Sequence, residues 1–314
     1  MSRRAVPDEE NAIGSRAVDG PASCGEPMSA SQPVQVQHHI TVDVEEYFHV
    51  SAFEKHLPRS RWPELRSRLE FGMTRLLDLL DEHHTKATFF VLGCVALEHP
   101  ELVRRLTRGG HEVASHGWDH RRVRDLTPPE FRRQVRDTRA MLQDLSGEPV
   151  DGYRAPSFSI TRGMEWALEI LVEEGHTYDS SLYPVRRPGY GYAGGSRTIT
   201  TLELESGPLV EVPPATLQVF GANMPLGGGG SFRHLPFRMT RSAVASFGGD
   251  GSGATLYLHP WELDPDQPVM PGIGWLTRLR HYGGLHRTEP RLRSLLEEFE
   301  FQTVRDTLRA RGGD

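Results

Sequence analysis

Lysine is nearly missing from this 314-residue chain: of 36 basic residues only Lys55 and Lys86 are lysine, the rest being arginine. That bias reads as base composition rather than function. Cysteine is almost as scarce. Cys24 and Cys94 lie far apart, so no zinc knuckle, redox pair or disulfide framework is implied. The formal net charge is −6, and no basic field exists to hold nucleic acid or an anionic membrane. Long apolar runs are missing too. No segment offers 18 uninterrupted apolar residues, and "MSRRAVPDEENAIGSRAVDG" has arginines but no apolar stretch behind them, so neither a membrane span nor a secretory signal is expected. A cytoplasmic location is the resulting expectation.

What remains is ordinary globular composition, 37% hydrophobic and 25% charged, in a chain long enough to bury a core. Residues 1–36 are rich in Pro, Gly, Ser and charge and read as a disordered leader. Residues 37–270 should form the main domain, and 271–314 a C-terminal extension packed on it. Within the main domain, strand and helix patterns alternate. "HHITVDV" leads into acidic residues. Residues 64–84 carry apolar positions at helical spacing, and "KATFFVLG" reads as a strand buried on both faces. A helix through "PELVRRLTR" stops at Gly109-Gly110, and "HEVASHG" resumes as strand. The next helix has Thr127 as N-cap, Glu130 in capping-box position and Gly147 at its end. "VDGYRAP", "RGMEWALEILVEEG" and "TYDSSLYP" continue the alternation. Residues 186–250, with "RTITTLEL", "LVEVPPATLQVF" and "PLGGGGSF", read as a β-rich Gly/Pro insertion or a set of long loops. "SGATLYLHPWEL", a helix near 288–299 and a strand near "FEFQTV" complete the pattern. Such βα units imply an α/β fold built on a parallel sheet, most simply a distorted or incomplete (β/α) barrel.

Ligands of parallel α/β folds bind at the carboxyl ends of the strands. The groups placed there are Asp43, Glu45 and Glu46, then Ser115, His116, Asp119 and His120, then Arg154, Asp179 and His259. His116 and His120, spaced i, i+4, can share one borderline metal ion such as zinc, which a carboxylate can complete. Asp43 and Glu45 share a strand face, so one can ligate while the other takes a proton from bound water. Val42 and Val44 argue that Asp43 is buried, and a buried carboxylate needs a partner, for which Arg154 is the candidate. His259 sits where a general acid would be needed, and Asp179 is available to raise its pKa by charge pairing. Glu46 reads as a solvated strand end, His111 as structural, and Asp119 as a brace for the turn. Tyr190, Tyr192 and Phe232 either offer aromatic surface to sugar rings or pack the insertion.

In this order the segments "TVDVE", "HGWDH", "RAPS", "YDSSL" and "YLH" resemble the five motifs of the NodB-like polysaccharide deacetylases, carbohydrate esterase family 4. The phrases "DVEEYFHV", "HGWDHRRV" and "LHPWELDPDQP" resemble its exopolysaccharide and PEP-CTERM-locus subfamily in particular. The resemblance covers residues 38–265 and implies a metal-dependent, most simply zinc-dependent, hydrolase that removes N-acetyl groups from an amino-sugar polysaccharide during exopolysaccharide biosynthesis. It implies Asp43 as base and His116 and His120 as metal ligands. Because the usual ligand aspartate falls on Val44, Glu45 becomes the third ligand. Arg154 orients the base, the Ser157 backbone N–H helps bind the oxyanion, and His259 is the acid, tuned by Asp179. Departures are Gly117 for a hydroxyl residue, Ser157 for tyrosine, Leu182 for tryptophan and Tyr257 for leucine. An allantoinase-like hydrolase of small amides and an inactive carbohydrate-binding member are the alternatives.

Overall fold

The computed structural model describes residues 37–187, 189–247 and 252–312. The expected leader lies outside them. The chain begins with β1 (His38–Val44), buried at every position, and α1 (Leu69–Glu82). Helical spacing placed the start of α1 at residue 64. It begins later because Arg59–Glu64, with Pro63 inside, winds as a 3-10 turn, and because Glu46 accepts the Arg68 N–H at 3.1 Å and the Ser67 hydroxyl. An acidic acceptor at a helix start satisfies an otherwise unpaired amide.

Next come β2 (Thr88–Val91), α2 (Gly93–Glu98), α3 (Pro100–Arg108) and β3 (Glu112–Ser115). Then α4 (Pro128–Ser146) opens on Thr127, whose backbone N–H donates to Glu130 at 2.8 Å, and closes on Gly147 at φ 71°. β4 (Gly152–Tyr153), α5 (Trp166–Glu173) and β5 (Tyr178–Asp179) follow. β4 and β5 are only two residues long.

The Gly/Pro segment differs in part from its sequence reading. It contributes β6 (Thr200–Leu204) and β7 (Gly207–Glu211), an antiparallel hairpin that extends the main sheet, and β8 (Thr216–Val219) with β9 (Ala222–Pro225), a separate two-stranded ribbon. Pro213-Pro214 break the apolar run between β7 and β8, since proline cannot donate to a ladder. The rest of the segment is helical: α6 (Gly229–His234) and α7 (Phe237–Ser246). The glycine tract hid α6, because Gly228 must pass close to the backbone of Tyr257, where a Cβ would come 1.8 Å from its carbonyl oxygen.

β10 (Thr255–Leu258) leads to the site, and α8 (Trp275–Tyr282), α9 (Thr288–Glu298), β11 (Phe301–Gln302) and α10 (Val304–Gly312) finish the chain. The strand order is β10-β1-β2-β3-β4-β5-β7-β6, all parallel except the β6–β7 pair, with β11 added beside β1. The sheet thus ends on β10 and β6, the form of a distorted, incomplete (β/α) barrel. Its largest core cluster joins β1, β2 and β10 to α1, α3 and α9. The C-terminal extension is part of this packing. Beyond β11, the Val304 and Arg305 amides bond Thr88 and Glu112 at 2.9 Å each. Among the described residues no helix is long and apolar enough to cross a membrane.

Candidate active site

β1 is parallel to its neighbours β2, β10 and β11, so the segments leaving β1, β3, β4 and β10 emerge at one end of the sheet. Strand alternation separates Val44, which lies in the apolar core, from Asp43 and Glu45. Their carboxylates face a cavity of about 550 Å³, whose wall includes His116, His120, Ser157 and His259.

Asp43 is 3% exposed and bonds Arg154 Nη1 at 2.8 Å. Arg154, 0% exposed, also donates to Thr41 Oγ1 (2.7 Å), to Ser180 Oγ (2.8 Å) and to the Ser180 carbonyl (3.3 Å), and its guanidinium lies 4.1 Å from the Phe90 ring centroid. Every hydrogen bond it makes fixes its direction. Burial alone would raise the Asp43 carboxyl; Arg154, His116 and His259 hold it below its usual value. It therefore stays ionised.

Glu45, His116 and His120 each offer a ligand atom within 4.8 Å of the others, and all three are buried. His116 Nδ1 lies 2.8 Å from the Arg154 carbonyl, which fixes Nδ1 as the N–H and leaves Nε2 its lone pair. Burial lowers its pKa to about 4, so the ring is neutral, as a ligand must be. The turn carrying both histidines is not helical. Gly117 and His120 have φ of 75° and 58°, and the Gly117 and Trp118 carbonyls are held by the Gly93 and Cys94 amides at the start of α2. Arg59 bonds the carbonyls of Asp119 and His120, and Asp119 accepts from Arg121 and Gln134, the bracing expected of it. The residues fit a cation. Glu45 Oε2 lies 2.8 Å from His120 Nε2 yet neither it nor His120 Nδ1 has a hydrogen-bond partner among the described residues. A carboxylate oxygen and an imidazole so buried are costly unless a positive ion completes them.

His259 Nε2 is 3.9 Å from Asp43 Oδ2 and 3.6 Å from Glu45 Oε1. Burial pulls its pKa down, but Glu45, Glu262 and Asp43 together push it up to about 9. Here the expected arrangement is corrected. Asp179 is not the carboxylate on this ring: it bonds the Ser181 hydroxyl and amide at 2.6 and 3.1 Å and pairs across the sheet with Glu211. Glu262 Oε1 lies 2.7 Å from His259 Nδ1 instead. Register sets Asp179 beside Glu211 of β7, whereas the 3-10 turn Pro260–Leu263 folds Glu262 back onto the histidine three residues before it.

Other residues were not legible as site residues. Trp261 stacks on His259 (4.8 Å between centroids, 21°) and donates its Nε1–H to Glu45 at 3.1 Å. Arg233, 1% exposed, pairs with Glu262. Histidine and glutamate at i, i+3 after an apolar strand was the only available signal for Glu262; Arg233 had none. Glu46, read as solvated, is 4% exposed, and burial raises its pKa, because it caps α1. His111 is structural as read, bonding the Ala87 amide at 3.3 Å. Phe232 and Tyr192 are buried in packing, while Tyr190 lines the cavity.

The α/β sheet thus brings a carboxylate, two histidines, an arginine-held carboxylate and a further histidine from its strand ends onto one cavity. Residues 69–174 match the model of the polysaccharide deacetylase family, and 180–309 match a domain of unknown function, DUF3473. A Bacillus cereus peptidoglycan-N-acetylglucosamine deacetylase is 34% identical over 102 residues, 32% of this chain and 37% of its own length. A Sinorhizobium fredii chitooligosaccharide deacetylase is 39% identical over 82 residues, 26% of this chain and 38% of its own. The chain thus spans well under half the length of these curated relatives. A solved Mycobacterium smegmatis protein described as a candidate polysaccharide deacetylase shares the fold, with a TM-score of 0.57 and 19% identity over 90% of this chain and 95% of that one. The stretch from 69 to 174 thus resembles the polysaccharide deacetylase family, and the curated relatives it matches are deacetylases of peptidoglycan and chitooligosaccharide.

Proposed function

We propose that this protein hydrolyses N-acetyl groups on an amino-sugar polysaccharide. The observation that carries the reading is the placement of Asp43 and His259, 3.9 Å apart, beside the Glu45, His116 and His120 cluster in one cavity. A divalent metal held by those three residues, zinc by the chemistry of a carboxylate and two imidazoles, would supply Lewis acidity toward the acetyl carbonyl and lower the pKa of water. Asp43, ionised and aimed by Arg154, takes the proton of the attacking water. His259 delivers a proton to the departing amine. The Ser157 backbone N–H serves the developing oxyanion. Ser157 sits at the cavity wall at φ 56°, its hydroxyl 2.8 Å from that of Ser51.

Amino-sugar substrates are supported by the curated relatives, deacetylases of peptidoglycan and chitooligosaccharide. The resemblance to the exopolysaccharide-locus subfamily makes an exopolysaccharide intermediate the natural substrate of this reading. The test is acetate release by purified, metal-analysed protein from N-acetylglucosamine oligomers, with allantoin as the contrasting substrate. Release from the oligomers by wild type, and its loss in Asp43→Ala, is expected. Hydrolysis of allantoin alone, or a protein that binds the oligomers and releases no acetate with metal present, would reject it.

A further inference from the structure

The matched domain of unknown function, residues 180–309, contributes Tyr190, Arg233, Tyr257, His259, Trp261 and His281 to the cavity wall. Its contribution is an unbroken chain of buried contacts. Glu262 Oε1 accepts from both the backbone N–H of His259 (3.2 Å) and, at 2.7 Å, its Nδ1. One carboxylate oxygen thereby grips a histidine at two points, which leaves the ring a single rotamer and fixes the proton on Nδ1, with Nε2 facing Asp43 and Glu45. The other oxygen, Oε2, pairs with Arg233 Nη1. Glu262 is 0% exposed, Arg233 1%. Arg233 is not a loose counter-ion. Its Nη2 donates to the carbonyls of Arg280 (3.0 Å) and His281 (3.1 Å), and its Nε to that of Gly283 (3.3 Å). These carbonyls close α8, where a cation is favoured by the helix dipole. Trp261 is held between the His259 ring and the His281 ring, 4.3 Å away, with the Arg233 guanidinium 5.3 Å from its own ring centre.

We infer that Glu262 and Arg233 are positioning residues for His259, and that the DUF3473 segment is the part of this chain that builds and aims the acid arm of the site. Glu262 does so directly, occupying the place at the ring that motif order assigned to Asp179. Arg233 does so through Glu262, tying α6 to the end of α8. A buried carboxylate without Arg233 would lose its charge partner, and the two-point grip with it. The inference rests on the proposed reaction only for its kinetic readout, because the state of the ring can be read without turnover.

The experiment combines steady-state kinetics on N-acetylglucosamine oligomers with 15N NMR of the histidine rings, on the full chain. In wild type the His259 Nδ1 carries the proton in a strong hydrogen bond. Glu262→Ala should lose that signal and lower kcat about 10²-fold, the low end of what proton transfer by a placed group contributes, with KM changed less than about threefold and bound metal unchanged. Arg233→Lys should recover part of what Arg233→Met loses, since the charge returns without the fork. Should Glu262→Ala fail to fold around an unpaired arginine, the double variant Glu262→Leu with Arg233→Met removes both charges and should fold with the same kcat. Asp179→Asn should leave the Nδ1 signal in place. The inference is overturned if the signal survives in Glu262→Ala, if Asp179→Asn abolishes it, or if kcat of the folded Glu262 variants stays within about twofold of wild type. If wild type releases no acetate but its ring signal depends on Glu262, the proposed reaction is rejected and the positioning role stands.

Discussion

Arg154 Nη1 lies 2.8 Å from Asp43 Oδ1, and the two side chains are 0% and 4% exposed. A buried pair of this kind is neutral or costly relative to an apolar pair, yet breaking it by removing one partner costs about 3–5 kcal/mol. Arg154→Met should therefore destabilise the protein by that order in urea unfolding, and Arg154→Met with Asp43→Leu should recover most of the loss while remaining inactive. A single variant as stable as wild type would mean that the pair is not charged in the fold.

Asp43→Asn keeps the shape of the site and removes the proton acceptor. It should lower kcat for acetate release by about 10²- to 10⁴-fold and leave the metal content of purified protein intact. Turnover within about tenfold of wild type would show that another group takes the proton.

Metal binding should depend on all three clustered residues. His116→Ala, His120→Ala and Glu45→Ala should each weaken zinc binding, by calorimetry, at least about 10²-fold, more than the 10- to 100-fold typical of residues that only support ligands. A chelator should abolish acetate release and added zinc restore it. Unchanged affinity in Glu45→Ala would remove the carboxylate from the ligand set.

The buried pair Asp179 and Glu211 sets a pH dependence of stability away from the metal cluster. Burial raises Asp179 to about 6 and, with Asp179 beside it, raises Glu211 well above its usual value. The folded state then holds more protons than the unfolded one, so this contribution is full below about pH 4 and is lost as pH rises through about 6. Glu211→Gln imitates the protonated form, still able to accept the Leu182 amide that Glu211 holds at 3.1 Å. It should flatten the fall in urea midpoint between about pH 4 and pH 7. An identical slope in the variant would refute the shared proton.

Gly72 joins the core to the acid arm. A Cβ there would come 2.1 Å from the Pro260 carbonyl oxygen, immediately after His259. Gly72→Ala favours the helix by about 1 kcal/mol but must displace that backbone, so a net loss of about 1–3 kcal/mol is expected from overpacking, together with a lower kcat. A more stable, fully active variant would show that the turn yields freely.

Much of this molecule is written along the chain. The apolar run "KATFFVLG" read as a buried strand, the Thr127 to Glu130 box with Gly147 bounded α4 closely, and His116 and His120 were marked by spacing together with the other strand ends. These features are local: a period, a cap or a short separation carries them. Val44 and Glu45 likewise follow from strand alternation, which sends one inward and the other to the cavity. The helix α6 was hidden because the close approach of Gly228 to Tyr257 demanded glycines that look like loop. The partner of His259 was assigned to Asp179 because both stand at strand ends, but sharing an end of a sheet does not specify which way a side chain turns. Register did that, pairing Asp179 with Glu211 across β5 and β7, and a 3-10 turn returned Glu262 to the ring. Arg233 lies 29 residues from Glu262 on a helix the pattern concealed; a buried arginine finds its carboxylate through packing, which no separation along the chain encodes.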